Sequence, residues 1–133
     1  MENAHLTLIE SASKPYGNTV TVRSHTVTMD EPTDLQGQDT GPTPIETMLA
    51  ALAGCTSITL RMYANRKQWP LDTVQLDVDY EVRNGKPVIT RTLHLTGNLD
   101  DEQRTRLLDI ANKCPVHKML SGENTPTIMT MLG

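Results

Sequence analysis

One stretch restricts the fold more than any other. From Ile45 onward apolar residues recur at spacings of three and four, placing Met48, Ala51, Leu52, Cys55, Ile58, Thr59 and Met62 on one stripe, and Trp69-Pro70 ends the pattern. The period predicts a helix of about six turns. Arg61, Arg66 and Lys67 fall toward its C-terminal end, where the helix dipole favours cations. In a chain of 133 residues a helix this long is central, and the remaining elements have to be arranged around it.

Those remaining elements read mostly as strands. His5 to Ile9 and Thr19 to Arg23 alternate as half-buried strands across the turn cluster Lys14-Pro15-Tyr16-Gly17-Asn18, and His25 to Met29 continues through a second connection near Ser24. Asp30 to Pro44 holds three prolines and two glycines and reads as a loop. Beyond the helix, Thr73 to Val82 sets Val74, Leu76, Val78 and Tyr80 against Gln75, Asp77, Asp79 and Glu81. Asn84-Gly85 is a strong hairpin signal, and Val88 to Leu95 answers as the partner strand. Asp100 with Gln103 forms a capping-box pattern ahead of Leu107, Leu108, Ile110 and Ala111, which predicts a second helix ending at Cys114-Pro115. Pro126 to Leu132 reads as a short final strand. The order βββ, α, ββ, α, β does not alternate strand with helix, so the expected class is α+β with antiparallel sheets. The length leaves room for a single domain over residues 1–133.

Composition removes several partner classes. Sixteen acidic and 12 basic residues give a net charge of −4 with no basic block, so the chain lacks the electrostatic footprint of a nucleic-acid binder. The longest apolar run, Met48 to Cys55, is far short of the roughly 18 to 20 residues a bilayer span needs. Met1 to His5 lacks the basic and apolar regions of a secretory signal, so a cytoplasmic location without membrane contact is expected. Phe is absent, which leaves an aliphatic core with seven Met as adaptable filler. Two cysteines in a reducing compartment are expected as free thiols that pair at most transiently.

Those two thiols are the candidate chemistry. Cys55 lies mid-helix on the apolar stripe, where a cysteine commonly serves as a small hydrophobe, and it is too far from its own helix N-terminus to gain from the dipole. Cys114 sits in Cys114-Pro115-Val116-His117, where the histidine three residues on can reach the sulfur. That pair could be half of a zinc site, but its completion would need two distant ligands among Cys55, His5, His25 and His94. A helix-ending Cys-Pro with a solvated histidine fits the pattern as well as a redox role does. Phosphate-binding, dinucleotide, serine-hydrolase and zinc-protease motifs do not occur. Asp77, Asp79 and Glu81 read as the solvated side of a strand, and Met48, Met62 and Met119 as core or subunit contact.

Several stretches taken together resemble a known family. Gly41-Pro42-Thr43-Pro44-Ile45-Glu46 leading into Leu49-Ala50-Ala51-Leu52-Ala53-Gly54-Cys55, then Asp100 to Cys114 with its Cys114-Pro115 ending, resembles the OsmC/Ohr superfamily of thiol peroxidases. The similarity runs from the first strands to His117. Arg61-Met62-Tyr63-Ala64 and Arg66-Lys67-Gln68-Trp69-Pro70-Leu71 resemble an OsmC-like branch distinct from OsmC and Ohr proper.

The resemblance implies an intertwined homodimer, with antiparallel sheets wrapped around two long central helices and active sites at the subunit interface. It implies that an organic hydroperoxide oxidises Cys55 to a sulfenic acid, that Cys114 resolves it into a disulfide, and that a dithiol, of the lipoyl type in the better-known members, reduces the pair. Oxidative-stress defence follows from it, with neither cofactor nor metal. Relatives carry an arginine in the first hairpin near the position of Gly17, and Arg23 is the nearest candidate here. They also carry a glutamate directly after the proline that here is Pro44, a place taken by Ile45, so Glu46 is the candidate carboxylate. At 100° per residue Glu46 lies on the helix side opposite Cys55, so it would act in a partner subunit's setting. The competing expectation is a non-catalytic protein of the same fold that binds a small apolar ligand or thiol, with both cysteines as packing residues.

Overall fold

In the computed structural model, which describes residues 3–133, the elements are β1 (Thr7–Glu10), β2 (Asn18–Val22), β3 (His25–Met29), α1 (Pro44–Lys67), β4 (Leu71–Arg83), β5 (Lys86–Gly97), α2 (Asp101–Ala111) and α3 (Pro115–Leu120). The class is α+β, with two separate antiparallel sheets and one long helix. The chain divides into two units, one ending at Met48 and the other running from Leu49 to Gly133.

The first unit is a three-stranded sheet in the order β1-β2-β3. Val20 faces Leu8 on one side and Val27 on the other and is the buried residue of β2. Arg23 takes a left-handed backbone conformation (φ 53°) in the tight turn to β3. The loop beyond β3 is organised by the enclosed carboxylate of Asp30, which accepts the Thr40 hydroxyl at 2.6 Å, the Thr40 N–H at 3.2 Å and the Glu31 N–H at 2.8 Å. The Thr40 hydroxyl is the main cause holding this carboxyl below its ordinary range. Thr43 then opens α1. Its hydroxyl accepts the Glu46 N–H while the Glu46 carboxylate accepts the Thr43 N–H at 2.9 Å, a reciprocal capping box with Pro44 at the first helical position.

In the second unit α1 supplies Leu60 and Tyr63, α2 supplies Leu107, Ile110 and Ala111, and Val74, Leu93 and Leu95 of the β4–β5 hairpin pack against that cluster. The hairpin turns at Asn84-Gly85, where both residues take positive φ (51° and 77°), the conformation its tight turn demands. Two arginines tie the layers together through carbonyls. Arg61 of α1 donates to the carbonyls of Leu71 and Asp72, and Arg104 of α2 donates to those of Leu95 and Gly97. Gly97 itself permits the close: a Cβ there would lie 2.0 Å from the Pro70 carbonyl oxygen.

Three expectations change. The buried residues of α1 are Leu52, Thr56, Leu60, Tyr63 and Ala64, while Ile58 and Met62 are mostly exposed. The helix is apolar around much of its circumference, so spacing alone did not select the face that α2 covers. The second helix stops at Ala111, and Pro115 opens the separate α3 rather than merely ending a winding, because a proline costs nothing at a first helical position. The expected strand at Pro126–Leu132 does not form: the segment is exposed and pairs with none of the described strands, and without a pairing partner an extended segment is not a strand.

Leu107 is fully enclosed between α1 and the hairpin. Leu107→Ala should cost about 2–5 kcal/mol of folding stability in a urea titration. A cost below about 1 kcal/mol would mean that α2 is not packed as described.

Candidate functional site

All the parts of the site lie in the second unit. Cys55 stands partway along α1 and Cys114 directly precedes α3, and the fold sets the two free thiols side by side, within hydrogen-bonding influence of one another. Cys114 is fully buried and Cys55 partly so.

The start of α3 receives both sulfurs. Cys114 is its N-cap, and its Sγ accepts the His117 N–H at 3.3 Å. The Val116 N–H and the Thr59 hydroxyl lie close enough to the Cys55 sulfur to pull its pKa down. Pro115 has no N–H, so residues 116 and 117 offer the first two free amides of the helix; Cys114 takes that of His117, and that of Val116 acts on Cys55. Cys55, remote from the start of its own helix, thus meets the start of another, which no local pattern around residue 55 reveals.

A guanidinium completes the arrangement. Arg91 of β5 donates through Nη1 to Thr56 Oγ1 at 2.8 Å, and through Nη2 to Asn112 Oδ1 at 2.9 Å and His117 Nδ1 at 3.2 Å. Its acceptors are all neutral, and no carboxylate pairs with it among the described residues. Burial pulls the Arg91 pKa down, and the electrostatic attraction of Cys114 and Cys55 opposes that pull.

The thiol itself is not pre-ionised. Burial is the first cause pushing the Cys55 pKa above its ordinary value, and the adjoining Cys114 adds to the rise. The Val116 amide and the Thr59 hydroxyl work in the opposite direction without overcoming it. The pull of Arg91 registers at the guanidinium but is not among the leading influences on Cys55, where desolvation and the second thiol dominate. His117 is depressed, first by desolvation and then by Arg91, with Glu123 opposing.

The residues singled out from sequence separate into two groups. Cys55 and Cys114 come together. Arg23 is exposed at the β2–β3 turn of the first unit, and Glu46 caps α1 in that same unit. Arg91, Thr56 and Asn112 complete the site and carry no sequence motif, while His117, expected at the Cys114 sulfur, reaches it through its backbone N–H and turns its ring to Arg91. A signal for Arg91 was present: Ile89, Arg91, Leu93 and Leu95 share one side of an alternating strand, and a charge on the apolar side of a strand needs buried acceptors. No three His, Cys, Asp or Glu side chains gather as a metal site among the described residues. An open groove of about 700 Å³ lies along α2, lined by Tyr63, Trp69, Arg106 and Asp109 among others, and neither cysteine borders it.

A family profile described as OsmC-like protein matches residues 37–129. Among solved structures, the OsmC-like protein of Mycoplasma pneumoniae superposes with a TM-score of 0.77 at 19% identity, covering 92% of this chain and 90% of that one. The organic hydroperoxide resistance protein OsmC of Legionella pneumophila gives 0.67 at 17% identity, covering 92% and 91%. The organic hydroperoxide resistance protein OhrB of Bacillus subtilis gives 0.61 at 23% identity, covering 90% and 91%. Comparison with curated proteins finds no match.

Because burial raises the Cys55 pKa, its alkylation by iodoacetamide should climb about tenfold per pH unit through neutrality and continue past the ordinary thiol midpoint of about 8.5. Peptide mass spectrometry reads this residue by residue. A rate that levels off near pH 7 would contradict the dominance of desolvation.

Proposed function

The chain belongs to the OsmC-like protein family, and from that premise we propose that it is a thiol-dependent peroxidase that reduces organic hydroperoxides in oxidative-stress defence. The observation that carries the reading is the Cys114 thiol standing beside Cys55, with the Arg91 charge within electrostatic reach of both. The hydroperoxide-resistance relatives from Legionella and Bacillus support it.

The proposed chemistry uses the sulfurs in turn. The Cys55 thiolate attacks the terminal peroxide oxygen, the O–O bond breaks, and the alkoxide takes up a proton and leaves as an alcohol. Cys55 is then a sulfenic acid. Cys114 attacks that sulfur, the S–O bond breaks, water leaves, and a Cys55–Cys114 disulfide results. An external dithiol of the lipoyl type returns both thiols by exchange and is itself oxidised to a disulfide. Arg91 steadies whichever sulfur is anionic, and Arg23 and Glu46 are further candidates for that electrostatic duty. The partly buried surroundings favour a bulky apolar hydroperoxide over hydrogen peroxide. No cofactor, metal, nucleic acid or membrane enters the proposal, and the compartment that keeps the thiols reduced is the cytoplasm. No helix among the described residues is long and apolar enough to cross a membrane.

The reading includes a homodimer with residues 1–133 as one domain in each subunit. Ile58 (62% exposed) and Met62 (67% exposed) lie on α1 one turn apart, and Ile128, Met129, Met131 and Leu132 are still more exposed. Surfaces of this kind are characteristic of chains that associate. A second reading, a non-catalytic binder of small apolar ligands, draws on the raised Cys55 pKa, which keeps the thiolate scarce at neutral pH.

Treatment with cumene hydroperoxide should convert the two thiols of each chain into one intramolecular disulfide, and a dithiol should reverse the change. Cys114→Ser should instead accumulate a Cys55 sulfenic acid that dimedone traps, and Cys55→Ser should consume no peroxide. Wild-type protein that consumes no peroxide but binds an apolar probe, with binding kept in Cys55→Ser, would transfer the assignment to the binder. Sedimentation should give a dimer, with Ile58→Asp weakening it by at least about tenfold in dissociation constant. A wild-type monomer at micromolar concentration would exclude the subunit contact.

A further inference from the structure

The imidazole of His117 is not needed for any bond made or broken in the proposed reaction, yet it is one of three acceptors holding Arg91. An arginine nitrogen can only donate, so the 3.2 Å contact from Nη2 requires an unprotonated Nδ1. The ring is therefore neutral, with its hydrogen on Nε2. A proton arriving at Nδ1 removes the acceptor and places a second cation against the guanidinium.

The groups facing the ring define what its protonation changes. Arg91 approaches from β5, Cys114 holds the His117 amide at the start of α3 with Cys55 of α1 beside it, and the Glu123 carboxylate follows α3. Glu123 attracts an imidazolium where Arg91 repels it, but no ion pair joins Glu123 to the ring among the described residues, so protonation costs the ring its one side-chain partner.

We infer that His117 is a positioning residue: neutral, it fixes the Arg91 guanidinium beside the two sulfurs; protonated, it gives up that bond and loosens Arg91, so that acid weakens the site. The inference deepens the peroxidase reading and rests on it for its purpose. Desolvation and Arg91 both favour the neutral ring, which places the switch below the ordinary histidine value of 6.5 and leaves the site armed at neutral pH. Two of the three acceptors, Thr56 and Asn112, do not titrate in this range, so Arg91 is loosened rather than expelled.

Alkylation of Cys55 by iodoacetamide, followed from about pH 5 to about pH 8, tests this without any peroxide, so a failed peroxidase assay leaves the result readable. In the wild type the logarithm of the rate should rise with pH at a slope near one above the switch and steeper below it. His117→Asn keeps an acceptor at the δ position that cannot titrate, and its slope should stay near one throughout. His117→Leu offers no acceptor and should lower the rate about threefold near neutrality, less than a leading influence would, with His117→Asn restoring most of that loss. Superimposable profiles for wild type and His117→Asn, or a His117→Leu rate equal to that of wild type near neutrality, would overturn the inference.

Discussion

A guanidinium that cannot give up its charge is the constraint on which the second unit's geometry depends. Arg91 reaches from β5 into a partly buried space, and its donors must find acceptors there. Thr56 comes from α1, Asn112 from the C-terminal cap of α2 and His117 from α3, so satisfying one side chain ties three helices to a strand. Those same segments carry Cys55 and Cys114. Because the three acceptors are neutral, the hydrogen bonds are met but the charge is not balanced. The neighbouring groups able to supply a negative charge are the two sulfurs, and their attraction opposes desolvation at Arg91 without overcoming it.

The core makes that placement possible. Leu60 and Tyr63 on α1 lock against Leu107, Ile110 and Ala111 on α2, while Arg61 and Arg104 tie both helices to carbonyls at the ends of the hairpin strands. A well-packed side chain of the size of Leu107 contributes about 2–3 kcal/mol through burial. With α2 fixed, the turn Asn112–Cys114 and the proline that follows determine where α3 begins. The positions of the Val116 and His117 amides follow from that start, and with them the seats of both sulfurs.

What could be read from the sequence was local. The Asn84-Gly85 turn, the Asp100/Gln103 box and the strand His25–Met29 each depend on neighbours a few residues away, and each is found where the pattern placed it. The face of α1 depends on what packs against it, and in a helix rich in Ala, Leu and Met several faces satisfy the same period. Pro126–Leu132 has the composition of a strand, but a strand is a pair, and composition cannot supply the second member. The two thiols stand out in the sequence as the candidate chemistry, but their pairing and their roles come from the resemblance and not from their surroundings. Arg91 went unnoticed because strand alternation was read for its apolar members, although a charged residue in step with Ile89, Leu93 and Leu95 is the exception that asks for buried partners.

The capping of α1 bears on the same electrostatics. Glu46 exchanges hydrogen bonds with Thr43 at the helix start, its carboxylate accepting the Thr43 amide at 2.9 Å, and the acceptors that hold Arg91 are other groups. A guanidinium steadied by a carboxylate is already neutralised and offers a sulfur less than a full charge. One steadied by a hydroxyl, an amide oxygen and a neutral imidazole keeps its whole charge, at the cost of depending on the imidazole staying neutral. Burial works against ionising Cys55, so a site of this kind gains most from an unneutralised cation. The unpaired charge on Arg91 and the raised pKa of Cys55 are two consequences of a single choice, to place the chemistry inside the packed layer between α1, β5 and α3.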